Sequence, residues 1–204
     1  MPNIFVVSAP SGAGKTSLVK GVCDIFDFIK PAISFTTRKM RDSEIDGQDY
    51  YYVSESKFQD MIGNEEFLEY ENVYGNLYGS AYSSIEAISS KGMDVILEID
   101  YKGMLTVLNK IPHATSIYIV PPDISSLNDR LKKRGEDSLD TIETRMLSSH
   151  NELKYSKYAN YSIVNDDFDD ALKQLCLLIL LKKIPMKNIN ALMREISIMN
   201  YHIV

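Results

Sequence analysis

The sequence predicts an α/β fold of three layers. A parallel central sheet lies between helices, with a small, mostly antiparallel lobe inserted into it and a short lid above. Apolar runs too short for helices alternate with stretches of helical periodicity. A glycine-rich turn joins the first apolar run to the first helical stretch. Between residues 34 and 90 the texture changes to short strand patterns, and seven of the 13 tyrosines fall there.

Each element follows in order. Asn3 to Ser8 is apolar and rich in β-branched residues, and Lys15 to about Phe26 is the first helix. In the inserted lobe, Asp46-Gly47 and Gly75-Asn76 are turn dipeptides between strand patterns. Asp94 to Ile99 is a second buried strand, followed by a helix over Tyr101 to Asn109. Ser116 to Val120 is a third strand, stopped by Pro121-Pro122. A helix runs from about Ile124 to Lys133, and residues 138–157 read as helical. Tyr161 to Val164 is a fourth strand and Phe168 to Lys183 the closing helix. Strands separated by helices imply parallel pairing, since the crossover needs the intervening helix. The chain therefore reads as one domain, with a core of 1–33 and 91–183, a lobe at 34–90 and a lid at about 130–145. In the extension, 185–204, Ile189, Leu192, Met193, Ile196 and Met199 recur at helical spacing. They predict a short amphipathic helix that docks on the core, a second copy of the chain in a homodimer being its other seat.

Composition narrows the function. The 204 residues carry 22 Lys+Arg against 28 Asp+Glu, a net charge of −6, which argues against nucleic acid or an anionic membrane as partner. The longest apolar run, Leu175 to Leu181, is far short of a membrane span, and nothing at the N-terminus reads as a signal peptide, so a cytoplasmic location is expected. Cys23 and Cys176 have neither disulfide-framework nor zinc spacing.

Ala9-Pro10-Ser11-Gly12-Ala13-Gly14-Lys15-Thr16 is a phosphate-binding P-loop between a strand and a helix, with Ala9 where the general pattern has Gly. Its glycines turn backbone N–H groups toward phosphate oxygens, and the helix N-terminus adds partial positive charge. Lys15 reaches the β- and γ-phosphates and the Thr16 hydroxyl suits Mg²⁺. No N-K-x-D guanine-reading motif of a small GTPase is present. Glu98 and Asp100 form an acidic pair on one side of the second strand's carboxyl end, where ligands bind in such sheets. The six arginines gather around three places, Arg38 with Arg41, Arg130 with Arg134, and Arg145, with Arg194 in the tail. Arginine is the residue for forked phosphate contacts, so these places read as phosphate clamps.

With these motifs in hand the chain resembles the guanylate kinase family. The P-loop, Ser34-Phe35-Thr36-Thr37-Arg38-Lys39-Met40-Arg41, and Glu44-Ile45-Asp46-Gly47-Gln48-Asp49-Tyr50 are similar to its signatures. Phe67-Leu68-Glu69-Tyr70, Gly75 to Ser80, Leu97 to Asp100, the Arg130…Arg134-Gly135…Arg145 lid pattern and Asn165-Asp166-Asp167 follow in family order, covering residues 3 to about 183. The resemblance implies transfer of a phosphoryl group from ATP to GMP with Mg²⁺. It implies that Ser34, Glu69, Ser80 and Asp100 read guanine and that Arg38, Arg41, Tyr50 and Tyr78 hold the GMP phosphate. Ser11, Gly12, Ala13, Gly14, Lys15 and Thr16 would bind ATP, with Arg130 and Asn165 completing its site. Lys15, Arg38, Arg134 and Arg145 would act on the transferring group. Met40 departs from the family's usual proline and Phe35 from a smaller residue. The alternatives are a kinase for another phosphorylated acceptor, or a non-catalytic binding module of the same fold. The retained Lys15 and Thr16 argue against the module, and Glu69 with the tyrosine-rich lobe argues for guanine.

Overall fold

A computed structural model of the chain describes residues 2–127, 148–149, 151–183, 193–195 and 197. Its strands are β1 Ile4–Ser8, β2 Ile29–Pro31, β3 Phe35–Thr36, β4 Tyr51–Tyr52, β5 Phe67–Val73, β6 Asn76–Ala81, β7 Asp94–Glu98, β8 Thr115–Val120 and β9 Tyr161–Val164. Its helices are α1 Lys15–Ile25, α2 Glu55–Gly63, α3 Tyr82–Ser89, α4 Tyr101–Lys110 and α5 Phe168–Lys183, with a 3₁₀ segment at Leu153–Tyr158. The central sheet runs β2-β7-β1-β8-β9, every neighbouring pair parallel. This is the predicted three-layer α/β arrangement, with β2 as a fifth strand that the sequence pattern did not reveal.

Alternation along the sheet feeds two cores. Phe5, Val7, Ile96, Ile117 and Ile119 face α1 and α5, meeting Leu18, Val22, Leu175 and Ile179. Val6, Val95, Leu97 and Tyr118 face the other way, onto Ile85 of α3 and Met104 and Val107 of α4. Burial on both faces is why these strands are continuous apolar runs rather than alternating ones. Each such side chain contributes about 1.5–3 kcal/mol of hydrophobic stabilisation.

The lobe is a second sheet, β4-β3-β6-β5, in which β3 and β4 pair in parallel and the other contacts are antiparallel. Helix α2 closes one side, its Phe58 ring stacked on Phe67 at 4.5 Å. Gly79 admits this stack, since a Cβ there would come within 2.8 Å of the Phe67 ring. The β5–β6 turn is Tyr74-Gly75, one residue earlier than the expected Gly75-Asn76, with both φ angles positive (52° and 83°). A two-residue hairpin of this hand matches the twist of its strands, and Gly75 takes the second position at no cost.

One buried acid ties the start of β1 and the end of α5 to the sheet. Asp94 accepts from the Asn3 N–H (2.7 Å) and Asn3 Nδ2 (3.2 Å), and its carboxylate lies 3.3 Å from Lys183 Nζ at the end of α5. Asp94→Ala should lower stability by about 2–3 kcal/mol, since two donors and a cation lose their acceptor. A thermal melt should show the transition falling by several degrees; an unmoved midpoint would mean water replaces the carboxylate in full. Residues 128–147, with the lid and most of the helix expected from Ile124, and nearly all of the C-terminal extension fall outside the described residues.

Candidate active site

Between β1 and α1 the chain passes through Gly12 (φ 85°) and Gly14 (φ 91°). Only glycine takes these left-handed angles without strain, and the turns they make form an anion-binding nest at the start of a helix. At Gly14 a Cβ would lie 2.4 Å from Asn165 Nδ2, so no larger residue fits. That amide nitrogen donates to the Ala13 carbonyl at 2.7 Å, and the Asn165 main-chain N–H donates to the Val120 carbonyl at 2.8 Å. Thus Asn165, which the resemblance assigns to the ATP site, props the P-loop from the β8–β9 edge. Beside it lies a concavity of about 270 Å³ lined by Gly14, Ser17, Asn165, Asp166 and Phe168. A larger one of about 500 Å³, lined by residues such as Ile62, Tyr70 and Tyr82, contains none of the expected site residues.

The pairing of β1 with β7 sets Val7 against Glu98 and so brings the acidic strand end to the P-loop. Lys15 Nζ donates to the Ile99 carbonyl at 3.0 Å, and the Thr16 hydroxyl donates to Glu98 Oε1. A hydroxyl and a carboxylate are hard oxygen donors, and Mg²⁺ is usually held by one or two such groups plus phosphate oxygens and water. The donor set therefore fits Mg²⁺. Asp100 does different work: its Oδ1 caps α4 by accepting the Gly103 N–H at 2.9 Å. Glu152 joins the cluster without having been singled out in the sequence. Burial pushes its carboxyl up, the Ser148 hydroxyl holds it down, and the charges of Asp100 and Lys15 and the Ser11 N–H also act on it.

On the lobe side, Arg38 and Arg41 converge on Glu44. Arg38 Nη2 lies 2.6 Å and Arg41 Nη1 3.7 Å from Glu44 Oε1. The Arg38 guanidinium also lies over the Tyr50 ring at 5.5 Å and the Tyr52 ring at 5.9 Å. Burial alone would lower the Arg38 pKa, but the Glu44 hydrogen bond outweighs it, and the Tyr78 hydroxyl also favours the charged form. Tyr50 and Tyr78 stand edge to face at 5.8 Å. Burial, then Glu98 and Tyr78, raise the Tyr50 phenol above its ordinary value while Arg38 pulls it down, so the hydroxyl remains a donor.

Deeper in the lobe lies Glu69, which pairs with Ser80 across β5 and β6. A register shift between Phe67 and Glu69 breaks the alternation, so three successive residues are buried in three settings. Phe67 enters the lobe core and Leu68 the sheet core, while the Glu69 carboxylate lies against Gly103, where a Cβ would come within 2.6 Å of Oε2. Burial pushes the Glu69 carboxyl up to about 7; Asp100 and Glu71 add to this, and the Ser80 hydroxyl and N–H oppose it. The Ser80 N–H donates to Oε1 at 3.0 Å, whereas its buried hydroxyl acts from close by without the geometry of a full hydrogen bond. Ser34 lies just before β3, its carbonyl accepting the Tyr51 N–H at 2.9 Å.

Among the described residues, Lys15 and Thr16 meet the end of β7 at Ile99 and Glu98, Arg38 and Arg41 meet at Glu44 with Tyr50 beside Arg38 and Tyr78 beside Tyr50, and Glu69 lies between Ser80 and Gly103. Arg130, Arg134 and Arg145 lie outside the described residues. The two departures have local explanations: Met40 is half exposed, and Phe35 packs on Tyr51 at 4.8 Å and Phe67 at 6.0 Å. Glu44 and Glu152 carried no role in the sequence reading. Glu44 sat within a quoted segment, but nothing in its spacing assigned its partners.

Comparison with known proteins agrees with this geometry. The family model described as guanylate kinase matches residues 1–180. The guanylate kinase of Syntrophomonas wolfei is 42% identical over 187 residues, covering 92% of this chain and 96% of its own. That of Escherichia coli K12 is 40% identical over 186 residues, covering 90% and 89%. The crystal structure of guanylate kinase from Anaplasma phagocytophilum superposes with a TM-score of 0.73 at 27% identity, covering 91% of this chain and 88% of its own. The chain belongs to the guanylate kinase family of nucleotide kinases.

Proposed function

We infer that the chain transfers the γ-phosphoryl group of ATP to GMP, giving ADP and GDP, with the residues of this site in the following roles. An oxygen of the GMP phosphate forms the new bond to the γ-phosphorus, and the bond to the β,γ-bridging oxygen breaks with its electron pair leaving on ADP. The attacking oxygen is already ionised near neutrality, because the second phosphate pKa is about 6, so no general base is needed. Arg38, Arg41, Tyr50 and Tyr78 hold the acceptor phosphate; Lys15 and the P-loop N–H groups hold the donor. Bound Mg²⁺ neutralises the phosphate charge, and Thr16 with Glu98 would hold it. Rate comes from in-line positioning and charge neutralisation. By the family resemblance Arg134 and Arg145, which lie outside the described residues, would add to the charge neutralisation. No described helix is long and apolar enough to cross a membrane, and with the acidic composition this supports a cytoplasmic enzyme of small-molecule substrates.

The observation that supports the reading most is the P-loop itself, where Gly12 and Gly14 make the anion-binding nest and Lys15 and Thr16 meet the Ile99 carbonyl and the Glu98 carboxylate at the end of β7. The test is an ADP-release assay with ATP, Mg²⁺ and a panel of nucleoside monophosphates, where GMP should be turned over far faster than AMP, UMP or CMP. Glu98→Gln should raise the half-saturating Mg²⁺ concentration about tenfold in a normally folded protein, since it removes one charge from the oxygen set. An unchanged Mg²⁺ dependence would move the metal away from Glu98.

A further inference from the structure

We propose that Glu44 is the positioning residue of the GMP phosphate clamp, holding the guanidinium groups of Arg38 and Arg41 in their receiving geometry before any substrate arrives. This rests on the reading that those arginines take the phosphate. Three hydrogen bonds and an ion pair fix one carboxylate. Oε1 accepts from Arg38 Nη2 at 2.6 Å and lies 3.7 Å from Arg41 Nη1; Oε2 accepts from the Arg41 main-chain N–H at 2.8 Å and the Tyr52 hydroxyl at 2.7 Å. With only 12% of its side chain exposed, Glu44 has little room to rotate. The Glu44 N–H returns a bond to the Arg41 carbonyl at 3.1 Å, closing the turn, and Arg38 Nη1 donates to the Lys39 carbonyl at 2.9 Å.

The arrangement solves a physical problem. Two guanidinium groups three residues apart, in a stretch without regular structure, would repel each other and sample many rotamers. A carboxylate shared between them neutralises part of that repulsion and orders the forks in advance, which is the general route by which preorganisation raises affinity. Arg38 directs one N–H donor to Glu44 and one to the Lys39 carbonyl, and the Tyr78 hydroxyl also acts on it, so its fork is fixed from several sides. Burial pushes the Glu44 carboxyl up, but hydrogen bonds from Arg38, the Arg41 N–H and Tyr52 overcome this and hold it down at about 2, so the group is ionised at any working pH.

The sensitive quantity is what the phosphate adds to binding, the ratio of the Kd for guanosine to the Kd for GMP, measured by titration calorimetry. On the same reading guanosine is held at Glu69 and Ser80 and not at the clamp. In Glu44→Gln an amide replaces the carboxylate, so one of its two positions can no longer accept. The ratio should fall about tenfold or more while the guanosine Kd stays within about twofold. Tyr52→Phe removes one of the three hydrogen bonds while keeping the ring under Arg38 and should lower the same ratio a few-fold, which covers the case of a poorly folded Glu44→Gln. A ratio unchanged in both variants, or guanosine and GMP weakening in parallel, overturns the proposal, because Glu44 would then only support the lobe. The wild-type ratio, with Arg38→Ala and Arg41→Ala beside it, tests the underlying reading separately. If it is well above one and the arginine variants leave it there, the phosphate is held elsewhere, and if it is near one the phosphate adds nothing to binding; either result refutes the clamp itself.

Discussion

Lys15→Met should lower kcat by about 10²–10³-fold or more, with the melting transition lowered by only a few degrees. The reasoning begins at the end of the side chain. Lys15 Nζ is held by the Ile99 carbonyl at 3.0 Å, at the point where β7 runs out beside the P-loop. That bond anchors the ammonium without neutralising it, so its full charge is available to a phosphoryl group in transit. Fixed cations aimed at charge that develops in the transition state are worth this much, and methionine keeps the length and apolar stem while removing the charge. The structural cost is one lost hydrogen bond to a partly buried carbonyl, about 1 kcal/mol, or about 2–4 °C in the melt. A folded Lys15→Met protein that kept most of the wild-type kcat would remove the P-loop from the chemistry.

What was legible in the sequence follows a physical line. β1, β7 and β8 are buried on both faces, so each is a continuous apolar run, and α5 was located to the residue. β2 escaped because three residues ending in Pro31 carry no period, and β3 and β4, at two residues each, are held by main-chain pairing that side chains do not announce. The stretch expected to be helical through 157 is helical at 148–149 and 151–152, then tightens into the 3₁₀ segment. The P-loop was readable because its chemistry is local, eight residues whose order dictates their geometry. The clamp was half readable. Arginines advertise phosphate, but Glu44 finds partners six and three residues before it and eight after it, in a stretch with no periodicity to predict from. The contact between Glu69 and Gly103 spans 34 positions and depends on the register shift at Leu68, which only the folded sheet reveals.

Glu69→Ala should reduce kcat/KM for GMP by about 10³-fold or more and shrink the preference over AMP. Guanine presents N1–H and the 2-amino group side by side, and one carboxylate accepts both; adenine offers an N1 lone pair and no 2-amino group. A recess built on such pairing rejects the wrong base strongly, by factors up to about 10⁴–10⁵, because its own buried groups lose their partners. Burial makes Glu69 unusual for this task, since its carboxyl sits near 7 rather than in the ordinary range. Two opposite consequences follow. For folding, the raised pKa means that a contribution present below the unfolded value of about 4.5 is lost as pH rises through about 7, when the buried group ionises. For binding, the ionised form is the one that accepts from guanine, so affinity is full above about 7 and falls about tenfold per pH unit below it. Guanosine, which has no phosphate to titrate, reports this cleanly: its Kd should rise on going from pH 8 to pH 6 in the wild type and stay flat in Glu69→Gln. A wild-type Kd indifferent to pH over that range would show that the carboxylate is ionised throughout. An unchanged GMP/AMP ratio in Glu69→Ala would place base recognition on other residues, with Ser80 and Asp100 the next to replace.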